Sequence, residues 1–461
     1  MTPLPRRHIL LLGLILVAGL ALRLRVSYEF HAPAGDGIGY HRLAHELRAH
    51  HRYSLGPGQP LDYTREPIWP LVVAAVDTGE GNDIEHTLLW ATRVNAVFDL
   101  LTALFVFLML RELSLGWGAW LGCVLAAACP LLILDSCYLL RETLSTTIAA
   151  AATWLALRSL VRKDGRALVA AAAVVGLGML VRFDMILLGV ALLVPWARLA
   201  GWGRRLRVGA AAAGACVLVF SPWPIRNLIQ FGAPHLEGAQ WMDKDGVLLA
   251  RGERWWTRTW VDNVHAGWLN LRITNHLSIG PRDVPPEAAA SPEERLRVLA
   301  IFADYNKAGG RLTPEVDAQL LALARDRARE HPLRVLAWLP LRRAALWWWY
   351  FPPPEEQPLR SRTLHQPEWR WLFDDISHVL AIAGLAGLVA LAARRRTRDA
   401  ALLLALALVV RSLVMSVAGP DGGYQRYLAP FYALLLVAAA AGPAIISQRW
   451  TTRRGARTGA P

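Results

Sequence analysis

Apolar residues in this chain are bunched into long runs rather than spread at a helical or strand period. Ten such runs lie near 8–25, 88–110, 116–135, 142–160, 166–181, 184–199, 207–224, 375–393, 400–418 and 428–446. Most hold about 18 to 22 residues, enough for a helix to cross a hydrocarbon core of roughly 30 Å. Lipid offers the backbone no hydrogen-bonding partners, so runs of this length are read as helices. The pattern predicts an all-α polytopic membrane protein with about ten transmembrane helices.

The polar stretches between the runs set the organisation. Residues 1–224 read as an N-terminal transmembrane module with a first extracytoplasmic loop at 27–87. Residues 225–374 turn polar and charged and read as a second, mostly helical extracytoplasmic region. Residues 375–447 carry the C-terminal spans, and 448–461 form a basic cytoplasmic tail. The segment 333–351 is apolar enough to tempt, but Arg342 and Arg343 would then lie near mid-bilayer. Each would cost roughly 2.5–3.5 kcal/mol there. It reads instead as an interfacial helix, with Trp347, Trp348, Trp349 and Tyr350 in the aromatic belt at the membrane surface.

Composition supports a membrane class. Hydrophobic residues make up 54% of the chain, and mean hydropathy is +0.29. A net charge of +14 would suggest nucleic acid in a soluble protein. Here the Lys and Arg clusters fall on alternate connections, among them Arg6 and Arg7, Arg158 to Arg166, Arg198 to Arg207, and Arg394 to Arg398. Basic clusters mark cytoplasmic loops. Both termini are therefore expected in the cytoplasm of a multi-pass inner (plasma) membrane protein, with no nucleic-acid partner. The first run has the shape of a signal peptide, with a weak small-residue site near Gly19 and Ala21, and reads as an uncleaved first span because so many spans follow. Cys123, Cys129, Cys137 and Cys216 sit in or beside apolar runs and suggest packing, not a disulfide framework.

Charged residues gather at the span ends on the opposite, outer side. Asp36 and Tyr40 follow the first span; Arg65 and Glu66 come later in the same loop. Arg141 and Glu142 open one span, Arg182 and Asp184 mark a tight turn, Arg226 follows another span, and Arg426 and Tyr427 precede the last. A carboxylate at that surface can take the proton of an attacking hydroxyl. Guanidinium groups match phosphate geometry and can stabilise a phosphate leaving group. The combination points to group transfer from a lipid-linked phosphate. His41 and His45 lie one helical turn apart, as zinc ligands can, but read as part of an interfacial amphipathic helix. Asp99 and Arg411 are exceptions that fall within spans. A transporter of lipid-linked sugar, or a non-catalytic membrane scaffold, is the alternative; a transporter should place its ionisable groups near mid-membrane.

At these residues the chain resembles the GT-C superfamily of membrane glycosyltransferases, in the branch of protein O-mannosyltransferases and lipid A aminoarabinose transferases. DGIGYHRLAHEL resembles the first-loop D-x-x-x-Y helix, and TREPIWPLVVA the R-x-P-x-Y-P segment. LLRETL resembles an acidic span start, LVRFDMILL an Arg-containing turn, SPWPIRNLIQFG the P-W-x-x-R-N segment and QRYLAPFY the R-Y-x-x-P segment. The six occur in the same order as in the family. The resemblance implies a GT-C-like bundle with extracytoplasmic loop helices. It also implies a polyprenyl-phosphate sugar donor and transfer to a glycan, lipid or protein acceptor on the extracytoplasmic face, amid membrane lipids.

The resemblance implies Asp36 as the general base. Arg182, Arg226 and Arg426 become expected holders of the donor phosphate. Tyr40, Arg65, Glu66, Glu142 and Tyr427 become auxiliary or acceptor-orienting groups. A single phosphate can be neutralised by arginine, so no metal is obligatory, although a divalent ion could be held by Glu66 or Glu142. Many members carry a second acid directly after the base, where this chain has Gly37.

Overall fold

The computed structural model describes residues 4–29, 34–77, 83–236, 251–262, 269, 272–273, 275–349, 367–418 and 428–458. Among them there are helices and connections but no strand, only one isolated bridge between Ser54 and Leu61. The chain divides into two compact units. One comprises Met1–Gly238, Pro353–Arg411 and Leu428–Pro461; the other comprises Ala239–Pro352 and Ser412–Tyr427.

The first unit contains α1 (Arg6–Glu29), α2 (Ala34–His50), α3 (Ile68–Val76), α4 (Ile84–Glu112), α5 (Trp117–Ala128) and α6 (Pro130–Ser136). It continues with α7 (Glu142–Arg162), α8 (Gly165–Met179), α9 (Leu188–Ala197), α10 (Trp202–Phe220) and α11 (Pro222–Phe231). By length and hydropathy, six helices among the described residues can cross a membrane, or up to eight if the bent pairs α5–α6 and α10–α11 each count as one span. The bends, 46° and 48°, fall at Pro130 and Pro222, where the ring forbids the hydrogen bond that would continue the helix. The two remaining runs form shorter apolar helices, Gly165–Met179 and Phe183–Ala197, parted by the turn at Arg182.

Starts and packing follow from sequence. Asp83 caps α4 by accepting from the Glu85 amide (3.0 Å), and Asp164 caps α8 by accepting from Arg166 (2.9 Å). Of the last long helix, α18 (Ala429–Thr458), 89% of the most apolar window is buried, against 11% for α1. α18 is thus central and α1 peripheral. Glycines permit close contact between helices: a Cβ on Gly387, in α16 (Pro367–Ala392), would lie 1.7 Å from the Ala438 carbonyl. Small residues of this kind bring membrane helices together where hydrophobic burial gives no net drive.

One buried ion pair explains Asp99. Arg23 of α1 is fully buried and donates to Asp99 Oδ2 at 2.6 Å. It also donates to the carbonyls of Ala126 (3.1 Å) and Ala127 (2.6 Å), where α5 breaks before Pro130. A guanidinium has enough donors to satisfy both a carboxylate and the orphan carbonyls of a helix end.

The second unit contains α12 (Arg251–Arg258), α13 (Pro292–Lys307), α14 (Pro314–Glu330) and α15 (Leu339–Trp349). Trp256, Trp260, Phe302, Tyr305 and Leu320 form its core. Asp317 accepts from the amides of Gly252 (2.8 Å) and Glu253 (2.9 Å), tying α14 to the start of α12. Ser291 and Thr313 cap α13 and α14, each with proline at the first helical position.

The 333–351 segment departs from expectation in one respect. Its exposed face carries Leu333, Leu336, Trp338 and Leu341, while Trp347 is buried and Trp348 donates to Ser412 at 2.7 Å. Tyr350 lies outside the described residues. The tryptophans expected in the belt at 347 and 348 therefore pack within the unit, because the helix turns its leucine face outward. Arg342 pairs with Asp262 (3.5 Å), and buried Arg343 donates to the Leu339 and Arg258 carbonyls.

The Arg23–Asp99 pair yields a prediction. Arg23→Leu strands a buried carboxylate and should cost about 3–5 kcal/mol of stability, read by thermal unfolding in detergent. The double variant Arg23→Leu/Asp99→Leu should recover part of that loss. A single variant as stable as the parent would contradict this account.

Candidate functional site

The site begins at the first turn of α2. Asp36 lies there, where the positive end of a helix favours a carboxylate. Its side chain is 36% exposed, and Oδ1 stands 3.6 Å from Arg65 Nη2. Tyr40, one turn further along, is buried. The guanidinium carbons of Arg65 and Arg141 stand 5.6 Å and 6.0 Å from its ring centroid. Burial pushes the Tyr40 phenol well above its ordinary value, with Arg141 pulling the other way, so it is a neutral hydrogen-bonding group at physiological pH.

Two glycines let α2 come this close. A Cβ on Gly37 would stand 3.0 Å from the Leu139 carbonyl oxygen, and a Cβ on Gly39 would stand 2.9 Å from the Arg65 guanidinium. The position that carries a second acid in many members of the resembled family is therefore pressed against backbone here. On the next face of α2, the His41 ring shares a hydrogen bond with the Thr87 hydroxyl (2.9 Å), which donates to Asp77 (2.6 Å). His41 thus anchors α2 to the start of α4. Among the described residues, no group of three or more His, Cys, Asp or Glu side chains is placed to hold a metal.

Behind Tyr40 runs an alternation of guanidinium and carboxylate groups. Glu66 is buried, accepts from the Phe183 amide (2.9 Å) and pairs with Arg141. Arg141 also donates to the Val181 carbonyl (3.0 Å). Glu142, at the start of α7, accepts from Arg182 (3.0 Å). Arg182 also pairs with Asp184 (2.9 Å), and Asp184 pairs with Arg411 (2.8 Å), which lies on α17 (Arg398–Ala418). Buried charges persist where each is paired and hydrogen-bonded. The planar five-donor fork of arginine suits bridging several oxygens at once.

Arg226 is held differently. It donates to the Asp62 carbonyl (2.7 Å) and to Asn227 (2.8 Å), with its guanidinium carbon 5.0–5.5 Å from the rings of Trp223, Phe231 and Tyr53. The Tyr53 hydroxyl in turn donates to the carbonyls of Arg65 and Glu66. Of the residues singled out from sequence, Asp36, Tyr40, Arg65, Glu66, Glu142 and Arg182 converge on one cluster, and Arg226 joins through the first loop. Arg426 and Tyr427 lie outside the described residues.

The structure adds Arg141, Asp184 and Arg411 as members of the cluster. The first two were visible as charged neighbours at span ends. Arg411 had only its presence within a span to mark it. Glu66 and Glu142, considered as metal ligands, are both engaged with arginine.

Residues 82–225 match the family described as dolichyl-phosphate-mannose-protein mannosyltransferase. No sequence among the curated proteins matches the chain. The fold is similar to the crystal structure of the Archaeoglobus fulgidus oligosaccharyltransferase in its apo form. That match has TM-score 0.51 and 14% identity, and covers 97% of this chain and 52% of the other. The same enzyme in complex with Zn and sulfate matches with TM-score 0.50 and 12% identity, covering 96% of this chain and 50% of the other. ArnT from Cupriavidus metallidurans, bound to undecaprenyl phosphate, gives TM-score 0.39 at 15% identity over 94% of this chain and 78% of that one. The chain spans about half the length of the oligosaccharyltransferase. The family match and the shared fold bear out the resemblance to GT-C membrane glycosyltransferases, and the chain is a multi-pass membrane protein of that all-helical fold.

The glycine packing of α2 is testable. Gly37→Ala should cost about 1–3 kcal/mol in thermal unfolding, because the added methyl meets a carbonyl that cannot swing away. Gly35→Ala, where nothing lies within 4 Å, is the control and should change little. Equal stability for the two would contradict the close approach.

Proposed function

We propose that the chain transfers a sugar from a polyprenyl-phosphate donor to an acceptor hydroxyl on the extracytoplasmic face of the inner (plasma) membrane. The observation that carries this reading is the cluster at Asp36, where a partly exposed carboxylate stands 3.6 Å from Arg65 at the edge of a buried arginine–carboxylate network. The family match over residues 82–225, from α4 through the start of α11, supports it. The basic clusters on the other side of the chain support the choice of face.

The reaction we envisage is a single displacement. The acceptor oxygen attacks the anomeric carbon, and its proton passes to Asp36. The bond from the anomeric carbon to the phosphate oxygen breaks, and its electron pair leaves on polyprenyl phosphate. One displacement inverts the anomeric configuration. Guanidinium groups, Arg226 and Arg65 among them, offset the charge that gathers on the leaving phosphate. They can neutralise a monophosphate without an obligatory metal. An apolar cavity of about 510 Å³ lies between α8, α9 and α10, lined by Val175, Ile186, Leu193 and Trp196 among others. Its lining suits a hydrocarbon tail.

The test is turnover in membrane nanodiscs with a panel of polyprenyl-phosphate sugars, reading free polyprenyl phosphate and any glycosylated product by mass spectrometry. Asp36→Asn should lower turnover by about 10²–10⁴-fold with donor binding retained, the usual weight of a general base. Full activity in that variant would remove Asp36 from the chemistry. No release from any donor, with binding intact, would favour the transport reading.

A further inference from the structure

The cluster behind Asp36 contains arginines whose donors can be counted nitrogen by nitrogen. Arg182 is fully engaged: Nη1 goes to Glu142 (3.0 Å), Nη2 to Asp184 (2.9 Å) and Nε to Asp184 (3.4 Å), and the side chain is 4% exposed. Arg411 is completely buried and held by the Asp184 carboxylate and carbonyl. Arg182 cannot take up a ligand without abandoning a buried carboxylate.

Arg141 differs. Its Nη1 alone makes the bonds to Glu66 and Val181, and Nε and Nη2 have no hydrogen-bond partner among the described residues. Its side chain is 22% exposed. It lies against Tyr40, whose other neighbour is Arg65, the partner of Asp36. Glu66, which orients Arg141, is itself fixed by the Phe183 amide (2.9 Å). One edge of the guanidinium is therefore clamped, while the remaining donors are held in a fixed plane and left unused.

A clamped guanidinium with spare donors is preorganised for bidentate capture of a phosphate oxygen pair. We propose that Arg141 binds the phosphate of the lipid donor beside Asp36, and that Arg182 is a positioning residue that holds Glu142 and Asp184. This rests on the functional reading above and deepens it. The donor phosphate carries a single charge as a sugar diester and gains charge as the glycosidic bond breaks. Arg141 is thus a group whose attraction grows along the reaction, which is how an enzyme binds a transition state more tightly than a substrate.

The experiment measures binding of undecaprenyl phosphate and of undecaprenol, its neutral counterpart, to the full-length protein in nanodiscs. Wild type should prefer the phosphate. Arg141→Gln should lose about tenfold or more of that preference while binding undecaprenol as before. Arg141→Lys keeps the charge but not the fork, and should lose about threefold or more. Should the glutamine variant fail to fold, the lysine variant decides: a weakened preference supports the assignment, and an unchanged one overturns it. Wild-type preference retained in Arg141→Gln would overturn the role of Arg141 alone. No preference for the phosphate in wild type would overturn both this assignment and the donor reading it rests on.

Discussion

Arg182 sits buried between Glu142 and Asp184, and Arg411 completes the pairing on the far side of Asp184. Removing an ion from water costs several kcal/mol even after relaxation, and only good geometry repays it. None of these four charges is stable in its place alone. Each fixes the element that carries the next: the start of α7, the turn after α8, and α17. The first loop is attached to the same scaffold through Glu66, which meets both Arg141 and the Phe183 amide. The position of α2, and hence of Asp36, follows from what that scaffold leaves open.

A division of labour results. Buried arginines paired with carboxylates build the floor, while arginines with exposure and spare donors stand at its edge. Residue type cannot distinguish the two groups. Surroundings can, because a guanidinium that has met two carboxylates has little left to offer a ligand. Beside Tyr40 stand two arginines of the edge, their guanidinium carbons 5.6 Å and 6.0 Å from its ring centroid, with a carboxylate one helical turn before it.

Much of this was legible in the sequence. The apolar runs predicted the helices because lipid permits little else, and charged neighbours such as Arg65–Glu66 and Arg141–Glu142 marked the outer ends. What was hidden depends on distant partners. Arg411 reaches an acceptor 227 positions away, so nothing near it in the chain announces the contact. Asp99 looked like a mid-membrane exception until Arg23 was found beside it, bonded as well to the carbonyls at the break in α5. The two shorter helices around Arg182 read as full spans because hydropathy ignores a turn made by Arg, Phe and Asp. Gly37 read only as a departure from a pattern, and the Leu139 carbonyl packed close to it could not be read from the sequence. Trp347 and Trp348 read as belt residues because aromatic clusters near membranes often are, but the facing of their helix decides otherwise.

The central claim is that lipid-phosphate chemistry takes place at Asp36, at the edge of the buried ion-pair network. A cryo-electron microscopy structure of the protein in nanodiscs with undecaprenyl phosphate tests it most directly. The account predicts phosphate density beside Asp36 and Tyr40, within hydrogen-bonding reach of Arg141 or Arg65, and with the Arg182–Glu142 pair intact. A phosphate seated away from Asp36, or one that draws Arg182 off Glu142 to reach it, would contradict the account.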